Sequence, residues 1–337
     1  MRNTAGIRHY FTEAFTPCGY ISMLPELLRD TIHRYILTGG PGTGKSTMIK
    51  LIGIQLIDRG YDVDYIRSLR ETDSVAGLYL SKQKLCLLDE NEFIPHTMPK
   101  KEYYREISFR SYCRQSKLEE HQVRIKHLEE ILLGIEQEII CRLKEDYPIG
   151  SQDENTFISL KSILQMNNSG ATSSGFNEVT EILSKVKKDC LSFCFLHALQ
   201  LDGWLNLAPK YIKDFDRICL EGRDSSNMLV DILQEVRFLG QVVEIIVNPL
   251  NPSAILGIIF PEKNLAVWKG NPSKIEEQGF KKKHSDELTE ILEDYKTARI
   301  ELKSHINDTV NFRGIDDLRS ELLSSILSDL REKEGMK

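Results

Sequence analysis

The sequence predicts an α/β protein: a parallel sheet with a phosphate-binding turn at its edge, built twice and carrying long helical appendages. Three observations predict it. The glycine-rich stretch Gly39-Gly40-Pro41-Gly42-Thr43-Gly44-Lys45-Ser46 follows the apolar run Arg34-Tyr-Ile-Leu-Thr38 and precedes a helical pattern. A weaker copy of this region recurs 180 residues later. Two long stretches space their apolar residues alternately by three and four, which marks a narrow helical seam.

The spacing G-x-x-x-x-G-K-S between strand and helix is that of a P-loop, and each position has a mechanical reason. Glycines let the backbone turn with its amides inward, where they cradle phosphate oxygens at a helix N-terminus. Lys45 is expected to reach the β and γ phosphates, and Ser46 to hold Mg²⁺ through its hydroxyl. Pro41 stiffens the loop, Thr43 faces the nucleotide, and Thr47 closes the segment. The expected ligands are ATP or GTP together with Mg²⁺.

A strand over Asp62 to Arg67 follows, then another over Lys84 to Leu88 that ends in Asp89-Glu90. Burial of that apolar run in a parallel sheet brings its terminal carboxylate out at the carboxyl edge, beside the loop. Asp89 is therefore the candidate metal carboxylate, and Glu90 the candidate to orient or deprotonate an attacking water. Arg67 and Arg70 lie just past the earlier strand, at the same edge, where a guanidinium suits an acceptor's phosphate or the charge of a transferring group. Asp73-Ser74 reads as the cap of a short helix. His96 follows Pro95 in a loop and carries no assigned role.

In the second copy, Ser46, Met48, Ile52, Gly60, Val63, Ile66, Gly77 and Leu85 meet Ser226, Met228, Ile232, Gly240, Val243, Ile246, Gly257 and Leu265. Arg217 to Leu220, Val242 to Val247 and Leu265 to Trp268 repeat the strand pattern, and Gly203-Trp-Leu-Asn-Leu207 echoes Gly19-Tyr-Ile-Ser-Met23. The chemistry does not repeat. The loop Gly222-Arg-Asp-Ser-Ser226 is shorter and lacks the position of Lys45, while Asp89 meets Lys269, Arg67 meets Val247 and Arg70 meets Leu250. One half is thus expected to carry the site and the other to be degenerate.

The first seam, Ile125, Leu128, Leu132, Ile135 and Ile139, lies inside a helix predicted over roughly Glu102 to Glu145. The second is Leu288, Leu292, Tyr295, Ala298, Leu302 and Ile306, and a last helix over Asp316 to Lys333 carries Leu318, Leu322, Ile326 and Leu330. Seams of this kind fit helix-on-helix packing, and the long helices are also candidates for a protein partner. Between the halves, Asn167-Asn-Ser-Gly-Ala-Thr-Ser-Ser-Gly175 reads as a linker. The expected organisation is a nucleotide-binding domain with a helical arm over 1–147, a linker over 148–178, and a degenerate domain over 179–337.

Composition limits the partners. A net charge of -6 gives no basic footprint, so nucleic acid is not the default partner. Seven cysteines, an odd number, suit a reducing compartment better than a disulfide framework, and Cys190-x-x-x-Cys194 is not zinc spacing. No apolar run approaches the roughly 20 residues that span a bilayer, and Met1-Arg-Asn-Thr lacks a signal peptide's hydrophobic region. The expected location is cytoplasmic, without membrane contact.

These segments resemble a little-characterised bacterial family of duplicated P-loop proteins labelled ATPases or nucleotide kinases. The likeness rests on Arg8-His-Tyr-Phe11, Thr16-Pro-Cys-Gly19, Arg34 to Ser46, Arg59-Gly-Tyr-Asp-Val63, Asp73-Ser74, Leu88-Asp89 and Pro95-His96, within roughly the first hundred residues. The family's short Asp-x-Thr-x-Pro-His block is here the longer Asp89-Glu-Asn-Glu-Phe-Ile-Pro95-His96, and the second half lacks its loop. The resemblance implies a nucleotide-binding fold. Three readings follow: a Mg-dependent NTPase, a kinase acting on a small molecule or nucleotide, and a nucleotide-responsive scaffold without turnover.

Overall fold

The computed structural model describes residues 6–148, 191–222, 225–239, 241–274, 280 and 285–335. The linker expected over 148–178 lies outside the described residues apart from its first residue, as do Cys190, Arg223, Asp224 and Gly240. In chain order the first elements are β1 (Ile7–Tyr10), β2 (Glu13–Thr16), β3 (Gly19–Ser22), α1 (Leu24–Arg29), β4 (His33–Thr38) and α2 (Lys45–Ile57). Then come β5 (Val63–Arg67), β6 (Val75–Leu80), β7 (Leu85–Asp89), β8 (Arg105–Ser108) and α3 (Gln115–Asp146). The later elements are β9 (Leu191–Cys194), β10 (His197–Gln200), β11 (Gly203–Asn206), α4 (Ala208–Tyr211), β12 (Asp216–Leu220) and α5 (Ser225–Leu239). After them stand β13 (Val243–Val247), β14 (Ile255–Phe260), β15 (Leu265–Lys269), α6 (Asp286–Asn307) and α7 (Phe312–Gly335).

The chain divides into two compact units. One consists of Met1–His9, Leu28–Gln137 and Glu290–Lys337, and the other of Tyr10–Leu27 and Glu138–Thr289. The protein is mixed α/β with long helices, and among the described residues no sheet closes into a barrel. No helix among the described residues is long and apolar enough to cross a membrane.

The first unit holds a six-stranded sheet in the order β1-β5-β6-β7-β4-β8. Strand β4 runs parallel to β7 on one side and β8 on the other, but β6 is antiparallel to both β5 and β7. The expected parallel sheet is thus parallel only around β4 and mixed as a whole. The reason is connection length. Residues 68–74 join β5 to β6 and residues 81–84 join β6 to β7, whereas a parallel crossover needs about a dozen residues or more. Asp73-Ser74 accordingly caps no helix: Asp73 sits in a turn at φ 58, and Ser74 leads directly into β6. A second correction concerns 102–114, where the predicted helix is replaced by β8 and short 3-10 turns, so that α3 starts at Gln115.

Apolar burial holds this sheet in place. Met48, Ile49, Ile52 and Leu56 of α2 share one core with Leu37, Val63, Leu78 and Leu87 of the strands and with Leu322, Ile326 and Leu330 of α7. At about 25 cal/mol per Å² of apolar surface, each such side chain contributes roughly 1.5–3 kcal/mol. The C-terminal helix is thus part of the core. It is tied there by Asp329, which is buried, accepts from Tyr35 Oη at 2.7 Å and pairs with His33 at 3.0 Å and Arg105 at 3.2 Å. The seams of α3 and α6 are likewise buried at Leu128 and Leu132 and at Tyr295, Ala298, Leu302 and Ile306.

The second unit holds a five-stranded sheet in the order β12-β15-β14-β13-β9, the order in which β4, β7, β6, β5 and β1 stand in the first. The registers coincide at the 180-residue offset. Ile66 pairs with Gly77 and Arg67 with Val75 across a shift, while Ile246 pairs with Gly257 and Val247 with Ile255 across the same shift. The following turn repeats bond for bond: Ser68 N–H donates to Ser74 O at 3.2 Å, and Asn248 N–H to Ala254 O at 3.0 Å.

Candidate functional site

The loop between β4 and α2 turns through Gly42 at φ 85 and Gly44 at φ 94, conformations that residues with a Cβ rarely adopt. Gly44 is the cap of α2, so its left-handed backbone starts the helix with free amides facing the loop. The loop is also crowded from outside. A Cβ on Gly40 would meet Ile306 Cδ1 at 2.7 Å, and one on Gly42 would meet the carbonyl oxygen of Lys303 at 2.8 Å, both on α6.

Lys45 is almost wholly buried and curls back over this turn. Its Nζ donates to Gly39 O at 2.8 Å and Gly40 O at 2.7 Å, and lies 3.3 Å from Thr43 Oγ1 and 3.5 Å from Asp89 Oδ1. The parallel pairing of β4 with β7, which sets Leu37 opposite Asp89, brings that carboxylate beside the loop. Glu90 arrives there too, accepting from the Gly39 N–H at 3.1 Å. Ser46 Oγ shares a hydrogen bond of 2.7 Å with Ser74 Oγ and accepts from Val75 N–H at 3.2 Å. Residues Gly39 to Ser46 thus lie on this one turn and the start of α2, Asp89 and Glu90 at the strand end beside it, and Thr47 is exposed on the first turn of α2.

Two buried carboxylates three residues apart have opposite acidities. Burial pushes Asp89 up to about 7, and the attraction of Lys45 offsets only part of that rise. Burial also acts on Glu92, but Arg299 and Arg70 outweigh it and hold that carboxyl below its ordinary value. Arg299 Nη2 donates to Glu92 Oε1 at 2.7 Å, and Ser68 Oγ donates to Glu92 Oε2 at 2.5 Å. Arg299 also lies 3.3 Å from Glu71, which takes a further bond of 2.8 Å from Lys303.

The two arginines expected to face an acceptor differ. Arg70 is committed: it donates to Glu136 at 2.7 Å and to the carbonyl oxygen of Glu92. Arg67 reaches only the exposed Asp73, at 3.5 Å, and its Nε has no hydrogen-bond partner among the described residues. His96 is exposed in a 3-10 turn. Sequence reasoning missed Glu71, Glu92, Arg299 and Lys303. The available signal was Arg299 beside Ala298 and Leu302 in an otherwise apolar seam.

Among the described residues no group of three or more His, Cys, Asp or Glu is arranged to hold a metal ion. One carboxylate and one hydroxyl are what a phosphate-bound Mg²⁺ asks of a protein, since phosphate oxygens and waters supply its other ligands. Asp89, buried and only partly compensated by Lys45, is a donor whose charged form a dication would favour. The residues present fit that ion. No protein-family model, curated protein or solved structure matches this chain.

Proposed function

We propose that the chain binds ATP or GTP with Mg²⁺ at Gly39 to Thr47 and hydrolyses it, with a single site in the N-terminal half and a degenerate second half. The observation that carries this reading is the convergence of Lys45 with the carbonyls of the glycine turn at 2.7–2.8 Å and with Asp89 at 3.5 Å. In this reading Lys45 neutralises the β and γ phosphates and the loop amides receive their oxygens. Ser46 and Asp89 would hold Mg²⁺, which when bound would supply charge neutralisation for the transferring group. Glu90, fixed through the Gly39 N–H, orients or deprotonates the attacking water. The repeated register supports an internal duplication, and Lys269 in place of Asp89 supports the loss of metal chemistry from the second copy.

Calorimetric titration of the full chain with Mg-ATP and Mg-GTP tests it. Lys45→Ala should weaken binding at least about 100-fold, the scale of a lost charge-assisted contact of roughly 3 kcal/mol, with an unchanged circular dichroism spectrum. Equal affinity in the variant rejects the reading. A second reading, phosphoryl transfer to a small molecule, is favoured by one observation: an open cleft that shares Pro41 and Glu90 with the loop and strand end.

A further inference from the structure

A cleft of about 550 Å³ opens beside the glycine turn within the first unit. Pro41, Glu90 and Asn91 are among its lining residues, so it reaches the loop and the two residues that follow Asp89. Its walls are largely apolar, with Phe93, Met98, Tyr104, Leu132, Tyr295 and Leu302 among them. A space of this size with aromatic walls suits a ring-bearing small molecule.

Charge narrows the class further. The two guanidinium groups that reach the cleft are already paired, Arg70 with Glu136 at 2.7 Å and Arg299 with Glu92 at 2.7 Å. Tyr295 also donates to Glu136, at 2.9 Å. Glu129 lines the cleft, is exposed and makes no ion pair among the described residues. Glu90 adds a second carboxylate at the loop end, with only an N–H as partner for one oxygen. A phosphate or carboxylate on the ligand would therefore meet carboxylates whose only cationic neighbours among the described lining residues, Arg70 and Arg299, are already paired.

We propose that this cleft seats a phosphoryl acceptor, a ring-bearing alcohol that carries no negative charge. The proposal rests on triphosphate binding at the glycine turn. The hydroxyl oxygen of the acceptor forms a bond to the γ-phosphorus as the bond from that phosphorus to the β,γ-bridging oxygen breaks. The nucleoside diphosphate leaves with the electron pair, and the hydroxyl proton passes to Glu90. In this reading the cleft, which Pro41 and Glu90 line, lies on the side of the turn from which the terminal phosphate would be attacked.

The test incubates the full chain with γ-labelled ATP, Mg²⁺ and pairs of ring-bearing alcohols: nucleosides and tyramine, each beside its phosphorylated or carboxylated analogue. Label should appear on uncharged or cationic alcohols at least tenfold faster than on their anionic analogues. Glu129→Lys, a surface change that leaves the fold intact, should shift that ratio at least fivefold toward the anionic members. Label found only in water with every alcohol, equal labelling of both members of each pair, or an unchanged ratio in Glu129→Lys overturns the acceptor assignment while leaving triphosphate binding standing. A chain that shows no calorimetric signal with Mg-ATP fails at the earlier step, and the acceptor assignment falls with it.

Discussion

The two sheets share one frame and differ at one edge. Strand order and the shift after Ile66 and Ile246 coincide. So does the turn in which Ser68 Oγ accepts from Arg70 N–H at 3.0 Å and Asn248 Oδ1 from Leu250 N–H at 3.0 Å. The side chains that such turns project are unrelated: Arg70 and Glu71 in one copy, Leu250 and Asn251 in the other. Backbone geometry is held by hydrogen bonds that several residue types can make, whereas a charged network needs every member at once. The second copy keeps the cheap part of the design and lacks the part that handles charge.

The largest expected effect lies in that network. Arg299→Met should destabilise the chain by roughly 3 kcal/mol, because it leaves Glu92 buried with one guanidinium fewer. Urea unfolding of the two proteins measures this directly. A loss under about 1 kcal/mol would mean that Arg70 alone suffices for Glu92, and that the contrast between the two edges is not one of stability.

Glycine at the centre of each sheet gives the next contrast. A Cβ on Gly77 would lie 2.9 Å from Leu87 O and against Leu88 Cδ2, and one on Gly257 would lie 2.9 Å from Val267 O and against the ring of Trp268. Leu88 can change rotamer, but the indole of Trp268 is fully buried and rigid. Gly257→Ala should therefore cost about 2–3 kcal/mol and Gly77→Ala about 1 kcal/mol less, by the overpacking scale. Equal losses in thermal or urea unfolding would place the constraint on the shared carbonyl contact instead.

Much of this frame was legible in the residues. The glycine turn, the apolar runs of β4 and β7 and the pairing of Gly77 with Gly257 all announce themselves locally, because a strand or a turn is written in consecutive residues. Strand β6 was not read, although Val75-Ala-Gly-Leu-Tyr-Leu80 is apolar, since its direction depends on the length of two turns and not on its own composition. Strand β8 is four residues long, none of them buried, and carries almost no hydrophobic signal. Arg299 and Glu92 are 207 positions apart, and nothing periodic links them. The residues nearest the phosphate chemistry were legible and those that brace them from α6 were not, because bracing is a property of the packed chain.

An effect that vanishes at neutral pH separates the copies through one position of the hairpins. Glu13 in β2 bonds to Tyr20 across its hairpin; in the second hairpin His197 of β10 stands at the place of Glu13, opposite Asn206, and Trp204 at the place of Tyr20. His197 is buried, stacks on Phe280 at 4.9 Å, and neither ring nitrogen has a hydrogen-bond partner among the described residues. Burial lowers its pKa from the ordinary 6.5 to about 3. The unfolded chain then binds the proton and the folded chain does not, so stability is lost as the pH falls below 6.5 and the loss grows until about pH 3. At pH 5 the shift amounts to about 2 kcal/mol, at roughly 1.4 kcal/mol for each pH step below 6.5. His197→Phe preserves the stacked ring and removes the titration. Its melting temperature should therefore match that of the wild type near pH 8 and exceed it at pH 5. Parallel melting curves across that range would show that burial does not weaken proton binding by His197 in the folded chain.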